Sequence, residues 1–200
     1  MLHIIGVNHR AQAQIPGTGL TEEQQIFSHC LLRTIEQFRP GFIAEEDSRQ
    51  ALTKRGKISI AKGIADVKEI EHRFCDPTEA ERRAIGYRDG LSLEIDIFMS
   101  DREGMSNDEI FCKAHAIEIG RYFPVRERFW LERLHGCREV DAIFVCGDLH
   151  IETFGKILEH DGALYSVVQR GIGATEEDAR FYRAVDYLAK HPQLADHDEP

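Results

Sequence analysis

Short apolar runs alternate along the chain with longer segments of amphipathic helical character. The runs span residues 2–7, 41–46, 70–75, 140–146 and 163–168. Their length and apolar content are typical of strands buried on both faces, although the third run is more polar. Because strands alternate with helices, we predict a mainly parallel central sheet flanked by helices, which is a three-layer α/β fold.

The helices are predicted from their capping residues and from the spacing of apolar positions. Thr21-Glu22-Glu23-Gln24 has the form of a capping box, Ser59 can cap a second helix, and Asn107 or Asp108 a third. For residues 78–106, where the pattern is hardest to interpret, we predict a short helix at 79–85 and an extended piece at 91–99. Residues 1–200 are predicted to form a single domain with a helical C-terminal segment from about residue 174.

Composition and charge restrict the classes of partner. The apolar share of 42% and the charged share of 30% are those of a globular protein. A formal net charge of −10 disfavours nucleic acid, because the phosphate backbone would be repelled. The longest basic run, Lys54-Arg55-Gly56-Lys57, is short, and we interpret it as a solvated turn rather than a phosphate-binding patch.

The distribution of apolar residues and cysteines indicates a cytoplasmic protein. No apolar stretch approaches the roughly 20 residues that a membrane helix needs, so we expect no membrane association. The five cysteines form an odd set without a C-x-x-C pair, which is typical of reduced thiols rather than a disulfide framework. The sequence does not indicate an oligomeric state.

Polar residues follow four of the predicted strands at their carboxyl ends, where ligands bind in open α/β sheets. They are Asn8 and His9, Glu45 and Glu46, Asp76, and Asp148 and His150. Imidazoles and carboxylates that converge there can bind a divalent metal or share acid and base chemistry. For Asp76 and Asp148 a helix cap or a turn is the simpler interpretation, since those positions favour aspartate anyway.

Two of these strand ends carry the same short motif, Gly6-Val7-Asn8-His9 and Gly147-Asp148-Leu149-His150. The motifs resemble the two Gly-x-x-His sequences of the superfamily that groups TraB, Tiki, erythromycin esterase and ChaN-like proteins. The resemblance extends to a glutamate after the second strand, here Glu45 or Glu46, and to an arginine on the helix before the second motif, here Arg126.

The resemblance implies an α/β hydrolase whose activity depends, in several members, on a divalent metal such as Mn²⁺. It implies that His9 and His150 act as metal ligands or as acid and base groups, and that Glu45 or Glu46 activates water. Arg126 would stabilise an oxyanion, or would instead stack on Trp130 four residues later. We include Asp76 as a third candidate metal ligand.

The sequence therefore predicts a hydrolase that acts on a small molecule, an ester or a peptide. Its candidate catalytic residues are Glu45, Glu46, Arg126 and His150, and its candidate metal ligands are His9, His150 and Asp76. The alternative is a non-catalytic protein that binds or senses a ligand in the same cleft. A third possibility, a structural or assembly module, predicts an exposed apolar patch instead of a polar crevice.

Overall fold

The computed structural model describes residues 1–100, 104–176 and 178–195. Its strands are β1 (Leu2–Val7), β2 (Ala13–Gln14), β3 (Phe42–Glu45), β4 (Ile58–Ser59), β5 (Glu71–Phe74), β6 (Ala142–Gly147) and β7 (Tyr165–Ile172). Its α-helices are α1 (His9–Gln12), α2 (Glu22–Phe38), α3 (Arg49–Lys54), α4 (Ile60–Val67), α5 (Glu79–Ala84), α6 (Gly90–Ser100), α7 (Asn107–Ile117), α8 (Phe123–Arg133), α9 (Ile151–His160) and α10 (Asp178–Lys190). A π-helical turn at Glu118–Tyr122 and 3-10 turns at Asp148–His150 and Pro192–Ala195 complete the described elements.

The central sheet is parallel throughout the described residues. Its five strands lie in the order β5-β3-β6-β1-β7, and each neighbouring pair is parallel. Helices flank the sheet, so the predicted three-layer α/β fold is confirmed. The short antiparallel pair β2–β4, which joins Ala13 to Ser59, has no signal in the sequence pattern because each strand is only two residues long.

The chain divides into two compact units. One unit, here the sheet unit, comprises Met1–Thr78 and Glu127–Ala174. The other, here the helical unit, comprises Glu79–Arg126 and the described residues from Thr175 onward. The single domain expected from the sequence stays a prediction.

Two apolar layers enclose the sheet in the sheet unit. On one face, Phe27 and Leu31 of α2 and Ala61 of α4 pack against Ile5, Ile43 and other residues of the sheet. On the opposite face, Trp130 of α8 and Phe154 of α9 pack against Phe144 and its neighbours. All eight of these side chains are essentially inaccessible to solvent. Successive residues of a strand face opposite layers, and both layers are apolar, so each strand is a continuous apolar run in the sequence.

In the helical unit, the predicted extended piece at 91–99 is wrong, because these residues belong to helix α6. Asp89 accepts a hydrogen bond from the Ser92 amide at 2.8 Å, in the manner of a helix cap. Leu93 and Ile97, four residues apart, form a buried cluster with Ile110 and Ala114 of α7. The alternation of Leu and Ile with polar residues imitates a strand, but packing against α7 favours the helix.

Among the described residues, no helix is long and apolar enough to cross a membrane.

The helix cap before α7 is Ser106, which forms a capping box with Glu109, rather than the predicted Asn107 or Asp108.

Candidate functional site

The two Gly-x-x-His motifs lie side by side at the carboxyl edge of the sheet. Strands β1 and β6 are adjacent and parallel, with Val7 opposite Gly147. Asn8 caps α1 through a hydrogen bond to the Arg10 amide, and His9 is the first residue of that helix. His150 ends the 3-10 turn that follows β6. The register of two neighbouring strands therefore brings together histidines that are far apart in the sequence.

Glu46 lies between the two histidines. Its Oε1 atom is 3.8 Å from Nε2 of His9 and 3.3 Å from Nε2 of His150. The Gly147 amide donates a hydrogen bond of 2.6 Å to Oε2 of the same carboxylate. We call His9, Glu46 and His150 the carboxyl-edge cluster, since one carboxylate contacts both imidazoles and the backbone of the second motif.

The glycine of each motif has a packing reason. A Cβ atom at Gly147 would lie 3.2 Å from Glu46 Oε2 and 3.7 Å from His9 Nε2, inside the cluster. A Cβ atom at Gly6 would overlap the side chain of Ile151 and approach Asp148 Oδ1 to 2.5 Å. At Gly6 only a residue without a side chain fits, whereas an added Cβ at Gly147 would require Glu46 to move by a few tenths of an ångström.

The members of the cluster differ in their exposure to solvent. The side chains of Glu46 and His150 are 0% and 4% exposed, whereas that of His9 is 53% exposed. Burial alone would lower the pKa of His150, but the Glu46 carboxylate and the hydrogen bond to Glu127 outweigh it and raise the pKa to about 9. At neutral pH His150 is therefore a buried imidazolium, and His9 is the member that a ligand in solvent can reach.

Glu127 of α8 completes the surroundings of His150, and sequence reasoning missed it. Its Oε1 atom accepts a hydrogen bond from His150 Nδ1 at 2.8 Å. Trp130 packs edge-on against the same imidazole, with ring centroids 4.7 Å apart, and its indole N–H donates to Asp76 Oδ1 at 3.3 Å. In the sequence Glu127 stands between two arginines on a charged helix, so no pattern distinguishes it from a solvated residue.

Glu45 is the last residue of β3 and Glu46 follows the strand, and the two side chains meet different histidines. Glu46 faces the histidines of the cluster. Glu45 lies 2.9 Å from His72 of β5, and both side chains are buried. The sequence left open which of the two glutamates faces the histidines of the motifs, and the structure shows that it is Glu46. The sequence could not decide this because the answer depends on the positions of β5 and β6.

The remaining predicted site residues have other partners. Asp76 accepts a hydrogen bond from the indole N–H of Trp130, whose ring packs against His150. Asp148 accepts a hydrogen bond of 2.9 Å from the Gly171 amide and lies 3.5 Å from Arg170. Arg126 belongs to the helical unit, where its guanidinium lies 5.6 Å from the centroid of the Tyr87 ring.

The donor arrangement does not match a metal centre. Among the described residues, no three His, Cys, Asp or Glu side chains are grouped so that they could hold a metal ion. Both ring nitrogens of His150 face carboxylates, Nδ1 that of Glu127 at 2.8 Å and Nε2 that of Glu46 at 3.3 Å. The divalent metal implied by the resemblance stays a prediction.

Comparisons of this chain with protein-family models, with curated proteins and with solved structures find no match.

Proposed function

We propose that the protein is a hydrolase whose active site is the carboxyl-edge cluster. The observation that carries the proposal is the buried Glu46 carboxylate, which contacts imidazoles from the ends of two adjacent parallel strands. This edge is where open α/β sheets bind their ligands. The resemblance of the two Gly-x-x-His motifs to the TraB and Tiki superfamily supports the same assignment.

In this proposal His9 is the general base. Its half-exposed ring can accept a proton from water as the water attacks a carbonyl carbon, and can then return the proton to the leaving group. Glu46 orients the ring and stabilises the imidazolium that forms, as the carboxylate does in other acid and base pairs. The positive charge of His150 lies 3.3 Å from the Glu46 carboxylate and stabilises its negative charge.

The substrate class that we propose is a small molecule, an ester or a peptide, each of which presents a carbonyl group to this chemistry. We also propose a cytoplasmic location, because all five cysteines are free thiols. A protein that binds a ligand at the same cluster without turning it over is the alternative.

Hydrolysis of p-nitrophenyl acetate and p-nitrophenyl butyrate tests the proposal. We expect the wild-type protein to hydrolyse at least one ester above the buffer rate. His9→Gln and Glu46→Gln should reduce kcat/KM by about 100-fold or more, because each removes a part of the acid and base pair. His29→Gln is the matched control, since His29 is an exposed histidine on α2, and it should retain the wild-type rate.

Equal rates for the wild type and the two cluster variants would contradict the proposal. The assay is run with EDTA and with added Mn²⁺, because a rate that depends on Mn²⁺ would support the metal predicted from the resemblance. A rate that persists in EDTA would support acid and base chemistry by the side chains alone.

A further inference from the structure

Glu127 is a buried carboxylate that contacts the cluster at His150. Its side chain is 0% exposed, and Oε1 accepts two hydrogen bonds, from His150 Nδ1 at 2.8 Å and from the Thr153 hydroxyl at 2.5 Å. Thr153 lies one turn after His150, near the start of α9. The carboxylate thus joins α8 to the beginning of α9, next to the motif that supplies His150.

The contacts of the His150 ring leave it one orientation. Glu127 accepts a hydrogen bond from Nδ1, Glu46 lies 3.3 Å from Nε2, and Trp130 packs against the ring. A rotation of the ring by half a turn would remove both nitrogen atoms from their carboxylates. Glu127 therefore determines which nitrogen faces Glu46, as carboxylates do for histidines in other catalytic sites.

We propose that Glu127 is a positioning residue of the active site, which holds His150 so that Nε2 faces Glu46 and Glu46 in turn faces His9. This inference rests on the hydrolase function proposed above. It does not make Glu127 a catalytic residue, because Glu127 contacts the cluster only through the imidazole of His150.

A purely structural role makes a different prediction. If the Glu127–His150 contact served only to stabilise the packing of α8 against α9, its loss would lower stability and leave the chemistry of the cluster unchanged. If Glu127 positions His150, its loss also lowers the turnover of the site while KM stays near the wild-type value.

Glu127→Gln tests the proposal, because glutamine keeps the size of the side chain and removes the charge. We expect kcat for p-nitrophenyl ester hydrolysis to fall by about 10- to 100-fold with little change in KM. Glu127→Asp, which keeps the carboxylate, should recover part of the kcat that Glu127→Gln loses. Glu132→Gln, an exposed glutamate on the same helix, should leave kcat and KM at wild-type values.

A wild-type kcat in Glu127→Gln would overturn the proposal and leave the hydrolase function standing. If Glu127→Gln does not fold, Thr153→Val replaces it, since that variant removes the second hydrogen bond to the same oxygen and should lower kcat by less. If the wild-type protein hydrolyses no ester, the hydrolase function fails and this inference fails with it.

Discussion

At the scale of single residues, Gly147 is the point where the backbone of the second motif contacts the Glu46 carboxylate. Its backbone angles, φ −59° and ψ 139°, are accessible to alanine, so Gly147→Ala introduces no backbone strain. The new Cβ would lie 3.2 Å from Glu46 Oε2 and 3.5 Å from His150 Cδ2. We expect the variant to fold, to lose about 1 kcal/mol or more of stability and to lose most of its hydrolytic activity.

Urea unfolding and ester hydrolysis check this prediction. Gly63→Ala is the control, because a Cβ at Gly63 of α4 meets no atom within 4 Å. That variant should be unchanged or more stable by up to about 1 kcal/mol, since alanine favours the helix over glycine. Full activity in Gly147→Ala would mean that the geometry around Glu46 is irrelevant to function.

His150 should make the stability of the protein depend on pH. Its pKa is about 9 in the folded protein against an ordinary value of 6.5 for histidine, so between these values the folded state binds more protons than the unfolded state. The stabilisation is complete below pH 6.5 and is lost as pH rises through about 9. We expect the free energy of unfolding to fall by up to about 3 kcal/mol over this range because of His150.

Urea unfolding at several pH values between 6 and 10, for the wild type and for His150→Gln, measures this contribution. The difference between the two curves isolates His150 from the cysteines, lysines and tyrosines that titrate in the same range. Parallel curves would contradict the charge state assigned to His150.

At the scale of elements, periodicity predicted the strands of the sheet well because burial on both faces leaves an unbroken apolar run. It failed for α6, where alternating Leu, Ser, Ile and Asp imitate a strand while the packing of Leu93 and Ile97 against α7 requires a helix. It also missed α1 and α3, which are too short for a helical period to be visible.

Gly90 should be critical for the packing of α6 against α7. A Cβ atom at this position would overlap the His115 ring and lie 2.7 Å from Glu118 Oε2. His115 forms hydrogen bonds through Nδ1 to Glu118 at 3.0 Å and through Nε2 to Glu94 at 3.1 Å. The ring cannot move aside without breaking these contacts. We expect Gly90→Ala to destabilise the helical unit by about 1–3 kcal/mol.

Hydrogen exchange measured by mass spectrometry checks the effect of Gly90→Ala. Faster exchange should be confined to peptides from α6 and α7, whereas Gly63→Ala should leave these peptides unchanged. Wild-type exchange rates in α6 and α7 of Gly90→Ala would contradict the packing described here.

At the scale of the whole molecule, the topology decides which polar residues can meet. The sequence predicted that His9 and His150 converge, because carboxyl ends of parallel strands share one edge of a sheet. It did not reveal that β1 and β6 are neighbours, that Glu46 rather than Glu45 faces the histidines, or that Glu127 contacts His150. These facts depend on strand order and helix packing, which no local pattern encodes.

Chemical rescue tests the central claim most directly, namely that His9 supplies the base of a hydrolytic site. In His9→Ala the half-exposed ring leaves a space that imidazole from solution can enter. After subtraction of hydrolysis by imidazole alone, we predict that added imidazole restores ester hydrolysis to His9→Ala and leaves His29→Ala at the wild-type rate. Wild-type activity in His9→Ala without imidazole, or hydrolysis that imidazole does not restore, would contradict the assignment of His9 as the base.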